Sequence, residues 1–218
     1  MASVAEKRQQ IIDIWEWILE KTIPEESFTN EYELCEQFAI SRTQLRDILK
    51  ELEVRGIIER RQRKGIRIRE LSDKEISDIF EVREALESIA ARNAAIRATA
   101  RDIRLLRKYS NTFDRSMEKG ETKMEIEAEI AFHQKIVDMS GNIAVQRVIK
   151  QLMLIEKVFK MGKGVRPGIT HEPERATHDA IISALENHDS DKAEELVREH
   201  ILWSRGEALD VEEENSQD

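Results

Sequence analysis

Cysteine is almost absent. Cys35 stands alone among 218 residues, so no internal disulfide can form. Its neighbours Leu34, Glu36 and Phe38 offer nothing that would activate a thiolate, and it reads as a packed residue on a helix. It ties the chain to no oxidising compartment. Three prolines and eight glycines leave few places to turn a sheet, while charged residues make up 36% of the chain. Long stretches of Leu, Ile, Ala, Glu, Lys and Arg then predict a mainly helical protein, with length enough for two small domains. Also missing is any apolar run near the roughly 18 residues that a membrane span needs. The N-terminus lacks a basic segment followed by an apolar stretch and a small-residue cleavage site, so the expected location is cytoplasmic, with no membrane partner. No catalytic triad, P-loop or HExxH motif is present either.

Positive charge is short overall: a net charge of -9 at first argues against a nucleic-acid partner. The distribution reverses that reading. Residues 1–40 carry 3 Lys/Arg against 9 Asp/Glu, residues 41–70 carry 10 against 5, and residues 71–218 carry 22 against 30. The cations are concentrated in one short stretch.

The periodicity explains what that stretch is. Ile11, Ile12, Trp15, Ile18 and Leu19 recur at helical spacing over 5–22, and Ile23-Pro24 ends the run. A second helix is predicted from Asn30, with Glu33 at capping-box spacing, to Phe38. After the short link Ala39-Ile40 comes a third. There Ser41 and Gln44 again have capping-box spacing, and Leu45, Ile48, Leu49 and Leu52 form the buried stripe. Arg55-Gly56 stops it. Ile57-Ile58-Glu59-Arg60 and Ile66-Arg67-Ile68-Arg69 around Gly65 then predict a small hairpin. Beyond Leu71 helical patterning continues, with helices expected over 73–99, 100–119, 121–139, 143–161, 174–187 and 190–207. Gly162-Lys163-Gly164 and Pro167-Gly168 mark a link, and an acidic tail begins near Asp210.

Helix, turn, capped helix and basic hairpin together read as a winged helix-turn-helix. In such a motif the first residues of the second helix meet base edges in the major groove. Arg42 or Arg46 can make a bidentate contact to guanine, Gln44 can read adenine, and the Ser41 and Thr43 hydroxyls can bond phosphate. Taken one at a time, each is equally at home as a solvated surface residue. The run SRTQLRDIL resembles the S-R-T-P-V-R-E-A-L motif of the GntR family of bacterial transcription regulators, and the resemblance covers residues 5–70. It implies DNA-contact roles for Arg42, Thr43 and Arg46, and it places Lys64 and Gly65 at a wing tip that enters the minor groove. Where that family carries Arg in a pattern like S-E-R-E-L-A, this chain has Tyr32 in Asn30-Glu31-Tyr32-Glu33-Leu34-Cys35. That Arg contact is therefore not implied here.

The histidines supply a second constellation. Glu129 and His133 lie four apart on one predicted helix, on a face shared with Ile126, Ile130, Ile136 and Val137. His178 precedes Ile181, Ile182 and Leu185, and His200 follows Leu196 and Val197, so each can point inward on its own helix. Each alone reads as a hydrogen-bonded histidine or as a ligand. Together they could offer a divalent metal four donors suited to Zn, and also to Ni, Mn or Fe. Residues 73–205 resemble the all-helical FCD ligand-binding domain, in which D-x-x-F-H and two later histidines bind metal. Glu129-Ile130-Ala131-Phe132-His133 stands here for that first motif, with Glu in place of Asp, and His178 and His200 for the later two. Arg83 matches the Arg of a pattern like R-x-x-L-E. It reads either as a buried salt bridge, for example to Glu87, or as the partner of an effector's carboxylate. Asn142, in Ser140-Gly141-Asn142, reads as a helix cap or as a second effector contact.

The combined expectation is mainly α: an N-terminal winged helix-turn-helix with a small β-hairpin wing over 1–70, a C-terminal all-α helical bundle over 71–208, and an acidic tail over 209–218. The resemblance implies a homodimeric regulator, a repressor by family habit, that binds a double-stranded DNA operator. It responds to a small organic-acid effector at a divalent metal, Zn first. Two rivals stay open: a metal-dependent helical-bundle enzyme, and a DNA-binding regulator with a metal-free acyl-ligand or dimerisation domain. Di-iron bundle enzymes repeat Glu-x-x-His, whereas this chain has a single Glu-x-x-x-His.

Overall fold

The computed structural model describes residues 4–22, 28–163 and 172–215. The expected stop at Ile23-Pro24, the link residues 164–168 and His171 lie outside them. Two compact units are present: one holds the chain up to Glu70 together with Val158–Lys163, and the other begins at Leu71.

In the first unit α1 (Val4–Thr22) buries Ile11, Ile14, Trp15, Ile18 and Leu19. Ile14 replaces the expected Ile12, which is exposed, because steps of three and four from Ile11 reach 14, 15 and 18. Helix α2 (Glu31–Phe38) starts at Asn30, whose side chain accepts from the Tyr32 and Glu33 amides. The expected capping box is only half made, since the Glu33 carboxylate takes the Thr29 hydroxyl at 2.8 Å instead. Ala39 closes α2 in the left-handed region, φ 49°, and makes the turn without a glycine. In α3 (Arg42–Val54) the Ser41/Gln44 box is complete, and Leu45, Ile48, Leu49 and Leu52 are buried as the stripe predicts. Each such side chain is worth roughly 1.5–3 kcal/mol of burial.

The hairpin pairs β1 (Ile58–Arg61) with β2 (Gly65–Ile68), Ile58 opposite Ile68 and Arg61 opposite Gly65. Thr29 adds a bridge to Ile66 on the other edge, with bonds of 2.9 and 2.8 Å. Residues 62–64 form the turn, and Arg63 takes the left-handed conformation there, φ 65°. Gly65 follows that turn directly and pairs with Arg61 to close the hairpin, so it lies beside the tip of the wing. A Cβ on it would lie 2.3 Å from the Thr29 carbonyl oxygen.

The second unit is helical: α4 (Asp73–Arg97), α5 (Ala100–Lys119), α6 (Thr122–Met139), α7 (Ile143–Lys163, as far as Lys157), α8 (Glu172–Glu186) and α9 (Ser190–Asn215). Ser72 with Glu75 and Thr99 with Asp102 form capping boxes at the starts of α4 and α5. Ala90, Ala91, Ala94 and Ala95 of α4 and Ala193 of α9 are fully buried, and their small size lets α9 lie close along α4. Helix α6 packs on α4 and α5, and α8 on α5 and α9. Ala90, Val137, Val145, Ile149 and Met153 join α4, α6 and α7 in one core cluster. Helix α9 passes the expected end near residue 207, because residues 210–215 contain no proline or glycine and three successive glutamates favour the helix. Among the described residues no helix is long and apolar enough to cross a membrane.

Candidate functional site

Arg42, Thr43, Gln44 and Arg46 all project from the first turns of α3 and are exposed. Gln44 is the most constrained of them. Its Oε1 accepts from the Ser41 amide at 3.1 Å and the Ser41 hydroxyl at 2.8 Å, so only the amide nitrogen is left for a base. Arg46 is 65% exposed and donates from Nε to Glu31 at 3.3 Å; Arg60 of the wing donates to the other Glu31 oxygen at 3.2 Å. Glu31 therefore braces the recognition helix and the wing from α2, a role with no local sequence signal because its partners lie 15 and 29 residues away. Lys64 sits in the turn of the wing, where it, Arg61 and Arg67 approach the Phe28 ring at 5.9, 5.9 and 5.3 Å. Tyr32 is 60% exposed and gives its hydroxyl to Glu36. The same face gathers Arg60, Arg61, Arg63 and Lys64 around one open groove with Asn30 and Glu31.

In the helical unit Glu129 and His133 of α6, His178 of α8 and His200 of α9 converge, all buried, with their donor atoms within 4.8 Å of one another. His133 Nε2 is 3.0 Å from Glu129 Oε1 and 3.0 Å from His200 Nε2. His200 Nε2 is 3.3 Å from Glu129 Oε1, and His178 Nε2 is 3.2 Å from Glu129 Oε2. Two ring nitrogens facing each other can share only one proton. The last contact is not an aligned hydrogen bond: Glu129 Oε2, both His178 nitrogens and His200 Nδ1 have no hydrogen-bond partner among the described residues. Each buried unsatisfied polar atom costs about 1–3 kcal/mol. A four-coordinate cation with bonds of roughly 2.0–2.2 Å needs donors spaced much as these are. The four residues could therefore hold a metal ion, and Glu129 belongs to the set although it replaces an Asp.

The rings are fixed by their surroundings. His133 and His200 stack at 5.0 Å, while Phe132 lies 4.3 Å from the His178 ring and Phe113 meets it edge-on at 5.4 Å. Behind His133, Glu87 Oε2 lies 2.7 Å from Nδ1, Arg83 Nε donates to Glu87 Oε1 at 2.7 Å, and Arg83 Nη1 stands 2.5 Å from Glu156. Of the two readings of Arg83, the salt bridge to Glu87 is thus present, with Glu156 as a second partner. Arg83 is 2% exposed. Burial works to lower His133, but Glu87 and then Glu129 outweigh it and raise it to about 9. Burial also works to raise Glu87, yet Arg83 and His133 hold it at about 2. Against its own burial, Glu129 is kept well below the usual carboxylate range by His178 and His133. Burial pushes His200 down to about 4 despite Glu129. Electrostatics that hold a proton so firmly on His133 also favour a divalent cation.

Asn142 caps α7: its Oδ1 accepts from the Ala144 and Val145 amides at 3.1 and 3.2 Å. His188 ends α8 in the left-handed region and bonds the Ala95 carbonyl at 2.7 Å, apart from the cluster.

Comparison with known proteins agrees with both halves of this description. Residues 9–68 match the family model of bacterial regulatory proteins, gntR family, and residues 78–202 match that of the FCD domain. The chain is 30% identical over 185 residues to the Nta operon transcriptional regulator of Aminobacter aminovorans, covering 84% of each protein. It is 25% identical over 208 residues to the galactonate operon transcriptional repressor of Escherichia coli K12, covering 84% of this chain and 88% of that one. The structure of E. coli McbR/YncC has the same fold, with a TM-score of 0.81 at 17% identity over 96% of this chain and 99% of that one. The chain belongs to the GntR family of bacterial regulatory proteins, carries an FCD domain behind its winged helix, and is a DNA-binding transcription regulator, not an enzyme.

Proposed function

We propose that this regulator is a cytoplasmic, homodimeric repressor that releases or retains its operator according to a small carboxylate bound at a divalent metal in the helical unit. The observation that carries the reading is the buried Glu129, His133, His178 and His200 set, whose donors converge without enough protons to satisfy one another. Zn suits three imidazoles and a carboxylate, and Ni, Mn or Fe are the alternatives. The metal would supply a Lewis-acid site for an oxygen of the effector, while these four residues hold it and exclude water. Arg83 is the cation for the effector's carboxylate: the incoming group would replace Glu156 at Nη1, while Nε stays on Glu87. Asn142 has Oδ1 committed to the cap, so any effector contact would come from its amide nitrogen. One relative is named for a galactonate operon, and galactonate is a small carboxylate, which supports the same ligand class.

On the DNA side Arg42, Thr43, Gln44 and Arg46 would read or flank bases, and Lys64 would reach the minor groove, with Gly65 supporting the wing. Val82, Ile89 and Ile96, exposed at 43%, 45% and 64% and seven residues apart on α4, support self-association through that helix. Dimerisation would match a two-fold operator. Effector and DNA then affect one another's binding by the same factor.

The test is metal analysis of the purified protein, followed by operator binding with and without a panel of small carboxylates. One bound divalent ion per chain, lost in His178→Ala, is the expected result. A metal-free protein whose operator affinity ignores every carboxylate would refute the reading and favour the metal-free rival.

A further inference from the structure

The buried polar chain behind the four donors contains a carboxylate that touches neither the proposed cation nor solvent. Glu87 lies on α4, 1% exposed, and its two oxygens face different partners. Oε1 accepts from Arg83 Nε and Oε2 meets His133 Nδ1, both at 2.7 Å. A carboxylate paired with a guanidinium is an acceptor only, so the ring nitrogen facing it must carry the hydrogen. We propose that Glu87 is the positioning residue of the metal centre: by accepting the Nδ1–H of His133 it leaves Nε2, the atom facing Glu129 and His200, as the one that binds the cation.

The inference rests on the metal reading above but adds a residue that supplies no ligand atom. A neutral imidazole has two tautomers and can rotate about its side-chain bonds; without Glu87 half of the protonation choices would place a hydrogen where the cation belongs. Ligand histidines held in this way gain basicity as well as orientation. Arg83 has a matching structural part. It keeps Glu87 ionised and fixed, and Glu156, 4% exposed, is its second carboxylate partner, at Nη1. Because Glu156 stays on Arg83 when Glu87 is altered, a Glu87 variant does not strand an unpaired buried guanidinium.

The full-length chain, stripped with a chelator and titrated with Co2+ and Zn2+ against a chromophoric chelator, tests this. Glu87→Gln keeps shape but removes charge, while Glu87→Asp keeps charge for Arg83 but withdraws the oxygen from Nδ1. Both are expected to bind 10–100-fold more weakly than wild type, as outer-shell substitutions typically do (order of magnitude). Their Co2+ complexes should also show altered visible absorption bands. Glu156→Gln disturbs the same buried network without touching His133 and is expected to bind as tightly as wild type. Equal affinity in wild type and both Glu87 variants, or an equal loss in Glu156→Gln, would overturn the positioning role alone. A wild-type chain that takes up neither ion would overturn the metal reading and this one together.

Discussion

Gly65 offers the sharpest separation between a contact read from sequence and one decided by packing. If its part were a DNA contact alone, it could be replaced by alanine with little effect on folding. Its φ is +120°, and a Cβ there would lie 2.3 Å from the Thr29 carbonyl oxygen and 3.4 Å from the Phe28 Cβ. Real Cβ atoms do not come within 3.0 Å of such a neighbour, so strand β2 or the Thr29 segment must move. Moving either breaks the Thr29–Ile66 bridge, two hydrogen bonds of 2.9 and 2.8 Å. At about 0.5–1.5 kcal/mol for each bond, plus about 1–3 kcal/mol for a non-glycine residue at that φ, Gly65→Ala should cost roughly 2–6 kcal/mol.

Gly120→Ala is the matched control. Gly120 also has positive φ, +68°, but nothing lies within 4 Å of an added Cβ, so only the left-handed penalty of about 1–2 kcal/mol applies. Trp15 is buried in α1, so urea unfolding followed by tryptophan fluorescence in a Trp203→Phe background reports the winged-helix unit, while Trp203 of α9, in a Trp15→Phe, Trp17→Phe background, reports the helical unit that holds Gly120. A Gly65→Ala midpoint equal to wild type, with operator affinity reduced, would refute the packing argument and leave Gly65 with the DNA contact alone.

Other outcomes follow from the same geometry. Arg46→Ala should lower specific operator affinity by roughly 1–3 kcal/mol in gel-shift titrations, and an unchanged footprint would remove its base-reading role. Gln44→Ala removes a capping interaction from α3, so it should lower stability by about 0.5–2 kcal/mol; an unchanged midpoint in denaturant would show the Ser41 cap to be self-sufficient. Glu31→Gln frees Arg46 and leaves Arg60 with Glu53 alone, 3.6 Å away, and nonspecific DNA affinity at low salt should rise as discrimination against mismatched operators falls. Unaltered discrimination would show that the brace does not position Arg46. Chelation of the metal-loaded protein should lower its thermal midpoint. At a metal concentration 100 times Kd the stabilisation lost is about 2.7 kcal/mol, and His178→Ala should abolish the chelator effect.

Local chemistry made much of this molecule legible. Ser41 and Gln44 mark the start of α3 because their capping geometry involves only residues three apart, and Leu45, Ile48, Leu49 and Leu52 mark its buried face because helical period alone selects it. Glu129 and His133 are legible as a pair for the same reason. The departures have local causes too. Ile12 and Ile14 both lie within a turn of Trp15, and the steps of three and four from buried Ile11 select Ile14. Glu33 had two acceptable hydrogen-bond donors nearby and took the Thr29 hydroxyl.

What the sequence by itself determined is therefore what depends on neighbours within a turn or two: the helical class, the capped recognition helix, the basic wing and the inward-facing histidines. Only the tertiary structure decided that Glu31 spans from α2 to both Arg46 and Arg60, that Thr29 leaves no room beside Gly65, and that Glu87 of α4 stands behind His133 of α6. Those contacts join residues 15 to 46 positions apart. No periodicity encodes them, because a side chain's partner across a packed interface is set by how whole elements meet.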